Sequence, residues 1–327
     1  MGSYNCQKKQ AMNGVVTIAR ENKNFRKTKL LQKMKQSMEE KITEIVADLC
    51  IQSNCGVRED VLEALLKIRK EEKESLAKKT LSKIIENIEI AQKERIPTCQ
   101  DTGITEVFLE IGKKVKVEGN ILKEAINKGV INGYRKGYLR KSIVDDPLFL
   151  RKNTGTNTPA LIHFYFSPSL KEKIKITVFP KGFGSENMSR AVMLSPGGGK
   201  KGVKKFVLNA VKKAGANPCP PIIVGIGIGG TMQICTELAK KALLRSINSK
   251  NAHPQYAKLE EELFNEINKL GIGPQGFGGI HTCLGVNVEY FPTHIAGLPV
   301  GVNISCYALR QASRMIQVKD YEDYGNR

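Results

Sequence analysis

Hydrophobic positions in the first third of the chain recur at the spacing of an amphipathic helix. Residues 38–49, 61–68 and 81–88 place apolar side chains three or four positions apart, which aligns them on one face of a helix. Farther along, short runs of β-branched and aromatic residues lie between prolines and glycines, as is typical of strands. The pattern predicts a helical N-terminal region followed by interleaved strands and helices, and therefore an α+β fold of mixed α/β character.

The elements predicted after the helical region alternate between the two types. Strands are predicted over 104–111, 113–117, 160–166, 173–179, 222–226, 286–290 and 300–304, and helices over 121–134, 203–211, 232–247 and 256–270. Pro97 ends the helical region. No internal repeat or Pro/Ser-rich linker divides the body, so we predict one domain over residues 36–327.

The N-terminus carries a large share of the net positive charge. Of 327 residues, 52 are Lys or Arg and 32 are Asp or Glu, a formal net charge of +20. Residues 1–35 carry nine Lys or Arg against Glu21 alone, and we predict a basic, disordered extension or an upstream start. These residues lack the form of a signal peptide. Eight scattered cysteines without a secretory signal favour free thiols or metal ligands, and we expect a cytoplasmic location.

The net charge leaves two classes of function open. A basic nucleic-acid-binding protein is one, although no aromatic ladder accompanies the lysine-rich helical faces. Attraction of an anionic small substrate is the other, because a positive field raises the rate at which anions arrive. The most apolar stretch, residues 221–235, is interrupted by glycines and is too short to span a membrane. We therefore expect neither a nucleic-acid partner nor a membrane.

Two glycine-rich segments match nucleotide-binding motifs only in part. Gly225–Gly230 fits the dinucleotide pattern G-x-G-x-x-G, yet no strand ending in Asp or Glu follows about 20 residues later. These glycines favour instead a close approach of the backbone to a bulky group near Cys219. Gly197–Gly202 fails the phosphate-loop pattern because Lys200 is followed by another lysine.

The cysteines fall into two groups by their surroundings. Cys99, Cys219 and Cys306 lie in or beside turns with Pro, Gly or small neighbours, which leaves room for a large inorganic ligand. Spacing alone leaves a three-cysteine site open, while the lack of a C-x₂-C pair argues against structural zinc. Cys283, near His281, is the rival ligand. The other cysteines are predicted to act as small hydrophobic residues, namely Cys6, Cys50, Cys55 and Cys235.

Five loop segments, taken together and in order, carry a family resemblance. They are PTCQDTG at 97–103, NTGTNTP at 153–159, PKGFGSEN at 180–187, NPCPP at 217–221 with the glycines that follow, and YFPTH at 290–294 ahead of the last cysteine. From about Met38 to about Arg314 the chain resembles the α subunit, or N-terminal catalytic domain, of class I iron–sulfur fumarases and tartrate dehydratases. The resemblance implies that residues 36–327 form an α-type catalytic domain.

The resemblance also implies a site. Three cysteines would hold a [4Fe-4S] cluster, which leaves one iron open to substrate oxygens; they are Cys99, Cys219 and Cys306, and Cys283 takes no part. The residues implied to line the substrate pocket are Gln100, Asp101, Arg140, Gly182 through its backbone, and His294. Asp101 is the candidate acid/base or water-orienting group and His294 its alternative, while a residue outside this chain is a third option.

The activity implied by the resemblance is that of a hydro-lyase. Fumarate hydratase, which reversibly hydrates fumarate to L-malate in the tricarboxylic acid cycle, is the expected activity, and L(+)-tartrate dehydratase is the alternative. Single-chain relatives continue into a second domain that supplies further pocket residues. This chain therefore resembles the α half of a two-subunit enzyme. We expect a dicarboxylate substrate and a separate β subunit in an α2β2 or similar assembly.

Overall fold

Two mixed β-sheets and eight helices make up the part of the chain that the computed structural model describes, residues 38–115 and 119–318. The helices are α1 (38–54), α2 (Glu59–Glu71), α3 (Ser75–Glu94), α4 (Gly119–Lys136), α5 (Phe183–Glu186), α6 (Gly199–Ala214), α7 (Met232–Leu244) and α8 (Pro254–Asn268). The strands are β1 (Ile104–Ile111), β2 (Leu161–Phe166), β3 (Lys173–Lys181), β4 (Arg190–Leu194), β5 (Ile222–Gly230), β6 (Cys283–Thr293), β7 (Leu298–Ser305) and β8 (Ala312–Gln317). The predicted α+β class is confirmed, and the basic extension predicted for residues 1–35 lies outside the described residues.

Each sheet has four strands. In the first, ordered β2-β1-β3-β8, β1 runs parallel to β2 and antiparallel to β3, and β3 is antiparallel to β8. In the second, ordered β4-β7-β5-β6, β5 runs parallel to β6 and antiparallel to β7, and β7 is antiparallel to β4. Central strand β5 is buried along almost its whole length and contains only Ile, Val and Gly, as expected for a strand covered on both faces, whereas β1 and β3 contain Thr, Glu or Lys among their apolar residues.

Three clusters of buried side chains form the core. Helices α1 and α4 cover the first sheet, where Val46 and Ile126 are fully buried. Helices α6 and α8 cover the second sheet. Helices α2 and α3 join the sheets, because their apolar faces contact both Phe108 of β1 and Ile223 of β5. The N-terminal helices therefore hold the two sheets in a fixed relation.

Helix α7 packs directly on the glycine-rich part of strand β5. A Cβ atom at Gly225 would lie 2.1 Å from the carbonyl oxygen of Ala239, and one at Gly227 would lie 2.0 Å from that of Cys235. Only glycine permits this approach of helix and strand. The expectation that these glycines admit a bulky group near Cys219 is wrong, since what they admit is helix α7.

The predicted strands also differ from the structure at one predicted segment and at two strands that were not predicted. The strand predicted over 113–117 is not formed at its described residues, 113–115: residues 113–114 form a turn that the Val115 N–H closes on the Gly112 carbonyl at 3.0 Å, and residues 116–117 lie outside the described residues. Strands β4 and β8 were not predicted. Both are edge strands: β8 interrupts its apolar residues with Ser313, Arg314 and Gln317, and β4 has only the four apolar residues 191–194, the lower limit of a recognisable strand run.

Candidate active site

Two of the three loop cysteines meet at one end of the second sheet. Cys219 lies three residues before strand β5, and Cys306 directly follows strand β7. Because β5 and β7 are antiparallel and Ile223 pairs with Ser305, both cysteines lie at the same end of the sheet. Cys99 reaches this end from the loop between α3 and β1.

The three cysteines act on one another electrostatically. Burial raises the pKa of Cys219, and the nearby Cys306 and Cys99 raise that pKa further. Burial likewise raises the pKa of Cys306, although the cations Arg310 and Lys181 oppose the shift. The pKa of the Tyr307 phenol is raised to about 12, first by burial and then by all three cysteines. The three sulfur atoms therefore lie within electrostatic range of one another.

Hydrogen bonds fix the loops that carry the cysteines. The Thr98 N–H donates to the Asn54 carbonyl of α1 at 2.9 Å, and the Asn87 side chain of α3 donates to the Thr98 carbonyl at 2.9 Å. On the other loop, the Pro220 carbonyl accepts from the backbone and side-chain N–H groups of Gln275 at 2.7 and 3.1 Å. The loops of Cys99 and Cys219 are thus tied to neighbouring elements.

Asp101, Gln100 and Gly182 accompany Cys99. The Asp101 carboxylate accepts from the Gly103 N–H at 3.0 Å and from the Phe183 N–H at 2.8 Å. A Cβ atom at Gly182 would lie 3.3 Å from the same carboxylate. The Cys99 thiol donates to the Gln100 side-chain oxygen at 3.3 Å. The structure brings these three predicted site residues together.

Arg140 lies at the border of this group. Its carbonyl accepts a hydrogen bond from the Thr102 hydroxyl at 2.6 Å, which ties it to the loop of Cys99. The residue is exposed, so its guanidinium can reach a ligand in solution.

His294 lies at the other end of the second sheet. It follows Thr293, which pairs with Gly230 at the far end of β5. A strand rises about 3.3 Å per residue, so the eight steps from Ile222 to Gly230 span about 26 Å. Within one chain the structure does not bring His294 to the cysteines.

Two buried cations beside the cysteines were missed by the sequence analysis. Arg310 is 2% exposed and donates to the Asn54 side chain at 3.2 Å and to the Asp101 carbonyl. Lys181 is 1% exposed, donates to the Ile304 carbonyl at 2.9 Å and pairs with Glu186 at 3.2 Å. Lys181 stands inside the PKGFGSEN segment, and its place between proline and glycine was the available signal.

Lys181 of β3 begins a chain of largely buried ion pairs that ties the first sheet to helices α5 and α7, which contact the second sheet. Glu186 also accepts from Lys240 of α7 at 2.9 Å, and Lys240 donates to Glu106 of β1 at 2.8 Å. Glu106 is fully buried, and His163 of β2 lies 3.0 Å from its second oxygen. Glu106, His163, Glu186 and Lys240 line a cavity of about 620 Å³ between the sheets.

The cysteines fit a large group better than a single ion. Among residues 38–115 and 119–318, no three His, Cys, Asp or Glu side chains converge tightly enough to hold one metal ion. Of the three loop cysteines, Cys219 is exposed while Cys99 and Cys306 are half-buried, whereas the remaining described cysteines are buried, namely Cys50, Cys55, Cys235 and Cys283. Cys283 is fully buried and its thiol donates to the Gly285 carbonyl at 3.2 Å, and burial raises its pKa to about 12. The predicted small-hydrophobic role of Cys50, Cys55 and Cys235 is confirmed, while Cys6 lies outside the described residues.

Comparison with known proteins identifies the protein family. The sequence profile of the family described as "Fumarate hydratase (Fumerase)" matches residues 43–315, and the chain belongs to this family. The chain is 44% identical over 283 residues to the putative L(+)-tartrate dehydratase subunit alpha of Methanocaldococcus jannaschii, a match that covers 85% of this chain and 98% of that protein. It is 32% identical over 287 residues to L(+)-tartrate dehydratase subunit alpha of Escherichia coli K12, covering 86% and 93%. The enzymes that give the family and these relatives their names are hydro-lyases.

None of the described helices combines the length and apolar character needed to cross a membrane.

Proposed function

We propose that this chain is the α subunit of an iron–sulfur hydro-lyase that dehydrates L(+)-tartrate. The observation that carries the proposal is the meeting of three cysteines from three loops beside an aspartate whose orientation two backbone N–H groups fix. In this assignment Cys99, Cys219 and Cys306 hold a [4Fe-4S] cluster. When bound, the cluster supplies an open Lewis-acid position for substrate oxygens.

The surroundings of the cysteines support binding of an anionic inorganic group. Arg310 and Lys181 are both buried and both act on Cys306. Their positive charges offset the charge of thiolates, which are the form of cysteine that binds metal. Burial of a charge without a partner costs several kcal/mol, so the two cations make a buried anionic ligand set feasible.

Asp101 is assigned the acid/base role. The N–H groups of Gly103 and Phe183 each occupy one of its oxygens, and each carboxylate oxygen keeps a further acceptor position. Asp101 can therefore accept the proton from the substrate carbon next to the one that loses hydroxide. A Cβ atom at Gly182 would crowd this carboxylate at 3.3 Å, which supports a glycine at that position.

Substrate carboxylates are assigned to Arg140 and Gln100. The guanidinium of Arg140 can give two parallel hydrogen bonds to one carboxylate. Gln100 can donate from its side-chain nitrogen while its oxygen faces Cys99. His294 is assigned no role within a single chain, because about 26 Å of strand separates it from the cysteines.

L(+)-tartrate is preferred to fumarate as the substrate because both relatives named above are L(+)-tartrate dehydratase α subunits. Fumarate hydratase, which the sequence analysis favoured, is the second candidate, and the family's description supports it. The same names support a separate β-type subunit. A second chain is also expected chemically, since a dicarboxylate needs more cations than Arg140 alone.

The test is a substrate panel with matched variants. The chain is loaded anaerobically with iron and sulfide, mixed with the β-type chain from the genome that encodes it, and assayed with L(+)-tartrate, fumarate and mesaconate. Asp101→Asn is compared with Asp48→Asn, an exposed aspartate of α1. We expect turnover of L(+)-tartrate to exceed that of fumarate. Asp101→Asn should lower turnover by about 100-fold or more, and Asp48→Asn should not change it.

Two results would contradict the proposal. Fumarate turned over faster than L(+)-tartrate would transfer the assignment to the second candidate. A protein that acquires no cluster, or that turns over no dicarboxylate with its β-type chain, would remove the hydro-lyase assignment.

A further inference from the structure

A hairpin with an exposed apolar tip stands on the loop of Cys99. Its strands are joined by a bridge between Val144 and Asn153, and by bonds from the Asp145 N–H to the Lys152 carbonyl at 2.9 Å and from the Thr154 N–H to the Ile143 carbonyl at 2.8 Å. We call residues 141–154 the hairpin. The apolar tip comprises Leu148, Phe149 and Leu150, which are 71%, 83% and 84% exposed.

The tip is held in a fixed conformation. The Asp146 carboxylate accepts hydrogen bonds from the N–H groups of Leu148 at 2.9 Å, Phe149 at 3.1 Å and Leu150 at 2.7 Å. These backbone hydrogen bonds lower the pKa of Asp146, so the carboxylate stays ionised at neutral pH. Single exposed apolar residues are ordinary on protein surfaces, whereas a contiguous apolar patch marks an interaction site. A rigid patch also costs less entropy to bind than a flexible one.

The base of the hairpin is bonded to the candidate active site at two points. The Thr102 hydroxyl donates to the Arg140 carbonyl at 2.6 Å. Asn157 accepts from the Ser142 N–H at 2.7 Å and donates to the Gly103 carbonyl at 3.2 Å. A partner that binds the tip is therefore held close to the loop of Cys99, which carries Asp101, and to the exposed Arg140.

Charge defines the chemistry of the partner surface. Two exposed cations, Arg151 and Lys152, directly follow the tip, and a third, Lys141, begins the other strand of the hairpin. The exposed acid on the hairpin is Asp145, because Asp146 is engaged with the tip. A complementary surface has an apolar pocket bordered by carboxylates.

We infer that the apolar tip is the docking element for the β-type subunit, which receives Leu148, Phe149 and Leu150 in an apolar pocket bordered by acidic residues. The inference rests on the proposed function, since that function supplies the second subunit. Docking at the tip brings the β-type subunit over Arg140 and the loop of Cys99, where the substrate needs further cations. The tip thereby couples subunit assembly to completion of the site.

The test measures association of the full chain with the β-type chain from the same genome by sedimentation velocity. The triple variant Leu148→Ser, Phe149→Ser, Leu150→Ser removes the tip. The control is the double variant Phe164→Ser, Phe166→Ser, which removes exposed apolar side chains from edge strand β2. A second test variant, Asp146→Ala, releases the tip's N–H groups and removes none of its apolar atoms.

We expect the triple variant to weaken association by about 100-fold or more, since central apolar anchors dominate binding. Asp146→Ala should weaken association by about 10-fold through lost preorganisation. The control should stay within about three-fold of the wild type. Circular dichroism should show all variants folded, because the substituted apolar side chains are exposed and Asp146 is bonded to the backbone of the tip.

Each contrary result has its own meaning. A triple variant that associates like the wild type overturns the docking role and leaves the proposed function standing. A wild type that forms no complex overturns both. Wild-type binding to vesicles rich in phosphatidylserine, lost in the triple variant, would assign the tip to a membrane. Self-association lost in the triple variant would assign the tip to a second copy of this chain.

Discussion

Glu106 provides the sharpest test of how the first sheet is held to helix α7, which packs on the second sheet. Its carboxylate is fully buried and accepts from Lys240 at 2.8 Å, and His163 lies 3.0 Å from its other oxygen. Glu106→Gln keeps the shape of the side chain and removes its charge. Among the described residues, Lys240, whose side chain is 15% exposed, would then keep Glu186 as its one remaining ion-pair partner.

The magnitude follows from burial. Removing one partner of a buried ion pair costs about 3–5 kcal/mol, and the second partner of Lys240 places the expected loss at about 3 kcal/mol. Burial lowers the pKa of Lys240, but Glu106 and Glu186 outweigh it and hold this pKa above its usual 10.5. A raised lysine pKa stabilises the fold fully below the usual value and loses its effect only as pH rises through the folded-state value. At pH 7 the whole contribution is therefore present.

Equilibrium unfolding in urea at pH 7 measures this loss. At a slope of about 3 kcal/mol per molar urea, the midpoint should fall by about 1 M. Glu110→Gln is the control, because Glu110 lies on the same strand and pairs with Lys175 at 2.8 Å, with more than a third of each side chain exposed. Exposed pairs contribute about 0–1 kcal/mol. Equal midpoints for the two variants would refute the reasoning.

Three further predictions concern packing, His294 and the N-terminus. Gly227→Ala places a Cβ atom 2.0 Å from the Cys235 carbonyl and should lower stability by about 3 kcal/mol or prevent folding; Gly197→Ala, whose nearest neighbour would be 3.8 Å away, should match the wild type in a urea titration. His294→Gln should leave the iron content of the loaded chain unchanged, and a loss of iron would place His294 near the cysteines. Deletion of residues 1–35 should preserve cluster content and turnover, and a large loss of either would assign those residues to the fold or an interface.

Much of the fold is predictable from local pattern. Strand β1 has the predicted bounds Ile104–Ile111, and helix α4 extends its prediction by two residues at each end, because each has one continuous apolar face. Strand β4, in contrast, begins at the exposed Arg190 and lies at a sheet edge. Its pairing with β7 supplies the stabilisation that its sequence does not reveal. The turn at residues 113–114 likewise depends on a bond from the Lys114 N–H to the distant Lys171 carbonyl at 3.0 Å.

The candidate site also contains residues that the sequence predicts and residues that it does not. Cys99, Gln100 and Asp101 are consecutive, so their proximity is fixed by the chain and readable from one motif. Arg310 reaches Asn54 across 256 positions of sequence, and no local pattern indicates that contact. His294 shows the converse, since its loop resembles the other motif loops while the strand register separates it from the cysteines.

The iron and sulfide content of Cys219→Ser, measured after anaerobic loading, tests the central claim most directly. Cys235→Ser is the matched control, because Cys235 is a buried cysteine of α7 packed against strand β5. The account predicts about four iron and four sulfide per chain, with the broad visible absorbance of a cluster, in the wild type and in Cys235→Ser. It predicts loss of both in Cys219→Ser. A Cys219→Ser protein with wild-type iron content and absorbance would contradict the assignment of the three loop cysteines as cluster ligands.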